Sequence, residues 1–363
     1  MKSRWIFAPI LYLVVFLAIS FLIPGYLSHN NNSTHHYVRG KIVKIDIKNV
    51  QSDIVKKIYH VQIYENKKKK VVEIEFLEHK NSPSIFKINT KVIVARDSNG
   101  INAIQDIDRI SYTPFILLLF LVFIVITIGI KGIRAFLGLY VSIAILFFIT
   151  IPLILRGHDA LMICVVSALI ISVCSIFITH GLNKVSFISL LCISATLFIS
   201  GISSYFLTSI LHLYGRAQEA SFYINFHSSY RIDLRGLLLG GIIIGSLGIL
   251  DDIIITQITL IKEASKFYKR NSFNNLFHHS LIVGKEHIAA LINTLALAYI
   301  GPSLPLFVLL ATNKSLPLWV ILNSEILMEE FVRTFAGSLA LVCAVPITSL
   351  LGALFYRKKI TAN

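Results

Sequence analysis

Residues 234–262 read LRGLLLGGIIIGSLGILDDIIITQITLIK. Between Arg235 and Lys262 the only ionisable side chains are Asp251 and Asp252. A helix needs about 20 apolar residues to cross a hydrocarbon core of ~30 Å, and soluble helices average about 11–12. This stretch is therefore read as a membrane span with a carboxylate pair near its centre. Gly236 and Gly240 are four apart, as are Gly241 and Gly245, and Gly248 follows one turn later. Small residues at that spacing let another backbone approach closely. They also cost about 1 kcal/mol each in helix propensity, so the five are expected to serve helix packing.

The rest of the chain repeats the pattern. Of 363 residues, 55% are hydrophobic and 15% charged, against about 25% charged in ordinary soluble domains. The mean hydropathy is +0.74. About eight transmembrane helices are expected, near 5–24, 114–130, 135–155, 160–179, 185–213, 234–260, 287–312 and 331–356. The first follows Lys2 and Arg4 and ends in Phe21-Leu22-Ile23-Pro24. It lacks the small residues of a cleavage site, so 1–27 reads as an uncleaved signal anchor. Segment 287–312 contains Pro302 and Pro305 and is expected to bend or break.

The formal net charge is +15. Nucleic-acid binding is excluded as its meaning, because the basic residues flank the apolar runs as the positive-inside rule requires. With the N-terminus in the cytoplasm, thirteen lie inside: Lys2, Arg4, Lys131, Arg134, Lys184, Lys262, Lys266, Lys269, Arg270, Lys285, Arg357, Lys358 and Lys359. Four lie on short outer loops: Arg156, Arg216, Arg231 and Lys314. Both termini are thus expected in the cytoplasm of a cell-membrane protein. Cys164, Cys174, Cys192 and Cys343 all fall in apolar runs. They form neither a disulfide framework nor a zinc spacing, and no cofactor is expected.

Residues 28–112 switch to period two and are expected outside the membrane. Tyr59, Val61 and Ile63 alternate with His60 and Gln62, and Val72, Ile74 and Phe76 with Glu73 and Glu75. Val38–Ile47, Lys91–Arg96 and Ile101–Ile107 read as further strands, with turns at Asn66–Lys70 and Ser98–Gly100. Five short strands suggest a small all-β, OB-like barrel inserted after the first helix. The remainder, 113–363, reads as a seven-helix bundle. It carries a basic cytoplasmic loop at 262–286 and an amphipathic interfacial helix at 315–330.

Ionisable residues inside a span are functional candidates by default. Asp251 and Asp252 lead, with cation coordination or proton carriage as the chemistry; the alternative is a structural hydrogen bond that locks helices. Adjacent residues diverge by ~100° on a helix, so both face the bundle only with help from neighbours. Glu286, His287, Asn293 and Thr294 in the seventh span are candidate partners, with the backbone freed by Pro302 and Pro305. Glu325 and Glu329 share a face of the interfacial segment, and Glu325 is a further candidate. His278-His279 is too divergent a pair to assign a metal.

The run 241–252, GIIIGSLGILDD, resembles the signature of the YibE/F family of bacterial membrane proteins. So do 287–299 (HIAALINTLALAY), 301–306 (GPSLPL) and Asn323-Ser324-Glu325 with Glu330. The family implies an integral membrane protein with an anchor, an outer β domain and a bundle, and implies no particular substrate. Three functions are carried forward. The first is a transporter or channel for a cation or small solute. The second is a scaffold whose outer domain binds an envelope partner, with the bilayer and a second copy as further partners. The third, an intramembrane aspartyl protease, is disfavoured because adjacent carboxylates cannot face across a gap. There is no Gly-x-x-x-x-Gly-Lys-Ser/Thr loop for ATP.

Overall fold

The computed structural model describes residues 35–49, 54–65, 68–79, 86–97, 102–217, 221, 223–224, 232–267, 273–312 and 317–357. The expected anchor at 5–24 and the turn at Ser98–Gly100 lie outside the described residues, as do Lys269 and Arg270 of the basic segment. Two compact units divide the chain, Met1–Ile133 and Arg134–Asn363.

In the first unit the alternating segments form a five-stranded antiparallel sheet. The strands are β1 (His35–Asn49), β2 (Ile54–Glu65), β3 (Lys68–His79), β4 (Lys91–Asp97) and β5 (Asn102–Ile107), in the order β3-β2-β1-β4-β5. β1 is long enough to pair with β2 along one part and β4 along another, with a bulge between Ile42 and Lys44. Such bulges bend a strand, and the outer strands β3 and β5 come near each other without pairing. Ile42, Tyr59, Val61, Ile63, Ile74, Val92, Val94 and Ile104 fill the core. The Tyr59 ring meets Phe76 and Phe86 edge-on, at 5.8 and 5.5 Å between centroids. Gly40 sits where a Cβ would lie 2.6 Å from Val61 Cγ1, so a side chain there would displace the core. The short apolar helix α1 (Thr113–Ile128) follows and buries none of its residues.

The helical unit is built from α2 (Ile130–Leu155), α3 (Ala160–His180), α4 (Lys184–Ile210) and α5 (Leu234–Phe267). After these come α6 (Phe273–Ile300), a 3₁₀ turn at Gly301–Ser303, α7 (Leu304–Thr312), α8 (Leu318–Leu322) and α9 (Glu325–Tyr356). Asp159 caps α3 by accepting the Met162 N–H at 2.7 Å, and Asn183 caps α4 through Ser186 N–H at 3.1 Å. Within α2 the residues Leu146–Thr150 form a π-helical turn. Six stretches among the described residues are long and apolar enough to span a membrane. These six coincide with six of the eight expected spans, the shorter α1 lies at the expected 114–130, and the expected span at 5–24 lies outside the described residues.

α5 is the centre of the bundle and packs against α3, α4 and α9. Its Leu247, Leu250, Ile254, Ile258 and Ile261 interlock with Ile188, Cys192 and Ile193 of α4 and with Ala340 and Ala344 of α9. In lipid, helices associate through close packing and interhelical hydrogen bonds rather than through the hydrophobic effect. Both are present. A Cβ on Gly240 would lie 2.5 Å from Cys164 Sγ. Ser200 of α4 donates to Ser246 Oγ of α5 at 3.1 Å. Gln257, 2% exposed, donates to Ser280 O at 2.6 Å and Ser349 Oγ at 3.2 Å, tying α5 to α6 and α9.

Two expected boundaries are corrected. The described parts of the basic segment 262–286 are helical: α5 continues to Phe267 and α6 begins at Phe273, with 268–272 outside the described residues. No proline interrupts 273–286, and Gly284 is used for close approach to Val345 and Gln257 rather than as a stop. Among the described residues, 315–330 does not form one interfacial helix either. A single turn, Leu318–Leu322, ends at Asn323, and the last span already starts at Glu325.

Candidate functional site

Asp251 and Asp252 stand at the middle of α5. Asp251 is three or four residues from Leu247 and Ile254, so it borders their buried stripe and is half-buried. Its Oδ1 is shielded from solvent, and no donor among the described residues reaches it. Asp252, a further ~100° around the helix, is exposed. Its backbone oxygen accepts the Thr256 hydroxyl at 2.7 Å, and its carboxylate lies within electrostatic reach of His180 at the end of α3. The two carboxylates therefore do not converge. A buried acceptor without a donor costs about 1–3 kcal/mol, and a cation, a proton or an N–H group removes that cost.

The expected partners are not gathered around Asp251. α6 turns Leu276, Ser280, Gly284 and Leu295 inward, and Ile288, Leu291 and Tyr299 pack with Ile253, Leu341 and Val345. That choice of face leaves Asn293 and Thr294 exposed, and Thr294 Oγ1 donates to its own helix at Ala290 O, 3.2 Å away. Glu286 is exposed and His287 half-buried, both in mid-helix rather than at a helix start. Pro302 and Pro305 are exposed around the 3₁₀ turn.

The glycines divide. Gly236 and Gly240 meet α3 near Leu161 and Cys164, and a Cβ on Gly245 would lie 3.0 Å from the Tyr299 hydroxyl. Gly241 and Gly248 face open space, which corrects the expectation that all five pack. The difference follows from rotation, since Gly241 lies ~100° past Gly240.

A second polar group lies at the N-terminal end of α9. Starting the helix at Glu325 puts Glu325, Glu329, Glu330 and Arg333 on its first turns. Glu325 Oε1 accepts the Tyr214 N–H at 2.9 Å. Glu329 is 2% exposed, accepts the Ala217 N–H, and keeps a buried Oε1 without a donor among the described residues. Glu330 pairs with Arg333 at 2.8 Å. The sequence places Glu329 beside Glu325 on one face of the expected interfacial segment, whereas the structure buries it. The signal that places it is Ser324-Glu325, an N-cap residue followed by an acid in the first turn. No group of three His, Cys, Asp or Glu among the described residues could hold a metal.

All of these helical residues lie within 116–358, the region that matches the model of the YibE/F-like protein family. The chain belongs to that family. The YibE/F match runs from α1 through the end of α9 and leaves the β sheet N-terminal to it. The chain is a YibE/F membrane protein with several apolar helices. No curated protein and no solved structure matches it.

Proposed function

We propose that this YibE/F protein moves a cation or small solute across the cell membrane, with Asp251 as the ligand inside the bundle. The observation that carries the reading is the shielded, donor-free Asp251 Oδ1 at the middle of the central helix. A carboxylate in that position is expensive in a bilayer and functional by default. The divergence of Asp251 and Asp252 supports a non-enzymatic role, since an aspartyl protease needs two carboxylates sharing a proton. The excess of basic residues on one set of loops supports cytoplasmic termini and an extracytoplasmic 28–112 domain.

A scaffold is the second reading. It is favoured by the β sheet, which has its own core and lies outside the family match. Its occupant would be an envelope protein bound through 28–112, and a homo-oligomer is compatible with either reading.

The test is flux of sodium, potassium and protons into proteoliposomes, followed with fluorescent indicators. Asp251→Asn is expected to abolish flux in a protein that still folds, while Asp252→Asn retains it. Full flux in Asp251→Asn overturns the transport reading. A stoichiometric envelope partner lost on deletion of 38–110, with no flux in wild type, establishes the scaffold instead.

A further inference from the structure

Glu329 meets the description of Asp251 more strictly. It is 2% exposed, and one carboxylate oxygen has no donor among the described residues. The segment Leu211–Ala217, which follows α4, lies over it. That segment is pinned to α9 at two places, by Tyr214 N–H on Glu325 and by Ala217 N–H on Glu329. Leu213 anchors it from below, buried with Leu238 and Ile242 of α5 and with Val332 and Ala336 of α9. Gly215 makes the turn at φ +72°, where a Cβ would lie 2.8 Å from the Leu234 carbonyl carbon. The backbone is therefore drawn against the helix ends with no side chain between.

The surrounding charges decide what Glu329 can hold. Among the described residues, Glu325, Glu330 and Arg333 of α9 are the ionisable groups that act on it. Glu330 is neutralised by Arg333 at 2.8 Å, and Glu325 is committed to Tyr214 at 2.9 Å. Glu325 keeps its charge, but of the three carboxylates Glu329 is the one with a buried oxygen whose acceptor position is unused among the described residues. A divalent ion takes six or more oxygen ligands, usually with several carboxylates, and no three acidic or His/Cys ligands converge among the described residues. A singly charged ion needs only one compensating carboxylate, with carbonyls and hydroxyls completing its shell.

We propose that Glu329 binds a singly charged inorganic cation beneath the Leu211–Ala217 segment, at the outer end of the bundle. This rests on the reading of the bundle as a cation pathway, and it places a station on that pathway separate from Asp251. The Tyr214–Glu325 hydrogen bond is the latch of the cover, and release of the latch admits the ion.

Thermal unfolding of the full chain in detergent, in sodium, potassium or choline chloride at equal ionic strength, tests it. A ligand that binds only the folded state raises Tm by mass action. In Asp251→Asn, where Glu329 is the remaining station, sodium or potassium is expected to raise Tm above choline, and the Asp251→Asn/Glu329→Gln double variant is expected to lose the effect. A rise that persists in the double variant overturns the proposal. A rise in wild type that is absent from Asp251→Asn leaves the mid-helix site alone and overturns it too. No rise in any protein overturns the proposal as well. A measurement on unmutated protein guards against misfolding of the variant. Labelling of Glu329 by a hydrophobic carbodiimide, read by peptide mass spectrometry, is expected to fall severalfold in sodium or potassium. Labelling equal in all three salts refutes cation binding at Glu329.

Discussion

Replacing Gly284 by alanine sets two opposed effects against each other. Alanine favours a helix interior by about 1 kcal/mol over glycine, and Gly284 lies well inside α6. Its new Cβ would overlap the Val345 side chain and lie 2.9 Å from Gln257 Nε2. Overpacking of a tight core costs about 1–3 kcal/mol. Displacing Gln257 from Ser280 O and Ser349 Oγ removes interhelical hydrogen bonds worth about 0.6–2 kcal/mol in membrane proteins. The sum is a net destabilisation of about 1–4 kcal/mol. Thermal unfolding in detergent would read it as a lowered Tm. Val345→Ala removes one of the two obstructions, so the double variant is expected to be more stable than the two single losses predict together. A Gly284→Ala protein as stable as wild type, or strict additivity with Val345→Ala, would refute the claim that α6, α5 and α9 meet at this glycine.

The remaining predictions use the same assay unless stated. Arg333→Met leaves Glu330, 9% exposed, without its counter-ion; a loss of about 3 kcal/mol is expected, and Glu330→Gln in the same chain should restore most of it. Ser246→Ala removes the acceptor of Ser200 and is expected to cost about 1 kcal/mol. Thr294→Ala, on an exposed face and bonded only to its own helix, should change stability by less than about 0.5 kcal/mol. In the β sheet, Lys44 and His60 hold the Asp46 carboxyl below its ordinary value. Its stabilising contribution is then complete above the unfolded carboxylate value of about 3.9 and fades as pH falls through the lower folded value. Asp46→Asn should remove this acid-side dependence, measured as Tm against pH.

The parts of this molecule legible in its sequence are those set by composition and period. Long apolar runs mark the spans, and alternation at Tyr59–Ile63 and Val72–Phe76 marks strands whose buried residues are the expected ones. Helix ends were less legible. Segment 273–286 is polar enough to suggest a loop, yet it is helical because Leu276, Ser280 and Gly284 form a stripe that another helix covers. Which polar residue faces the bundle is not a local property. Asn293 and Asp251 have similar surroundings in sequence, but α6 rolls its Leu295 side inward while α5 sits among three neighbours. The burial of Glu329 is not legible locally, because it is met by Leu211–Ala217, a segment over a hundred residues away in the chain.

The π-helical turn at Leu146–Thr150 has a consequence for α2 as a whole. Thr150 donates to Ser167 Oγ at 2.7 Å, and a Cβ on Gly138 would lie 3.1 Å from Thr179 Oγ1, so both residues face α3. They are twelve positions apart, which at ~100° per residue would leave them about 120° out of phase on a regular α-helix. A π turn absorbs one extra residue, and eleven effective steps bring the phase error down to about 20°. The wide turn thus works as a phase corrector that keeps one helix in register with its neighbour along its full length. Deleting one residue between 146 and 150 would restore regular winding and rotate one end of α2 away from α3.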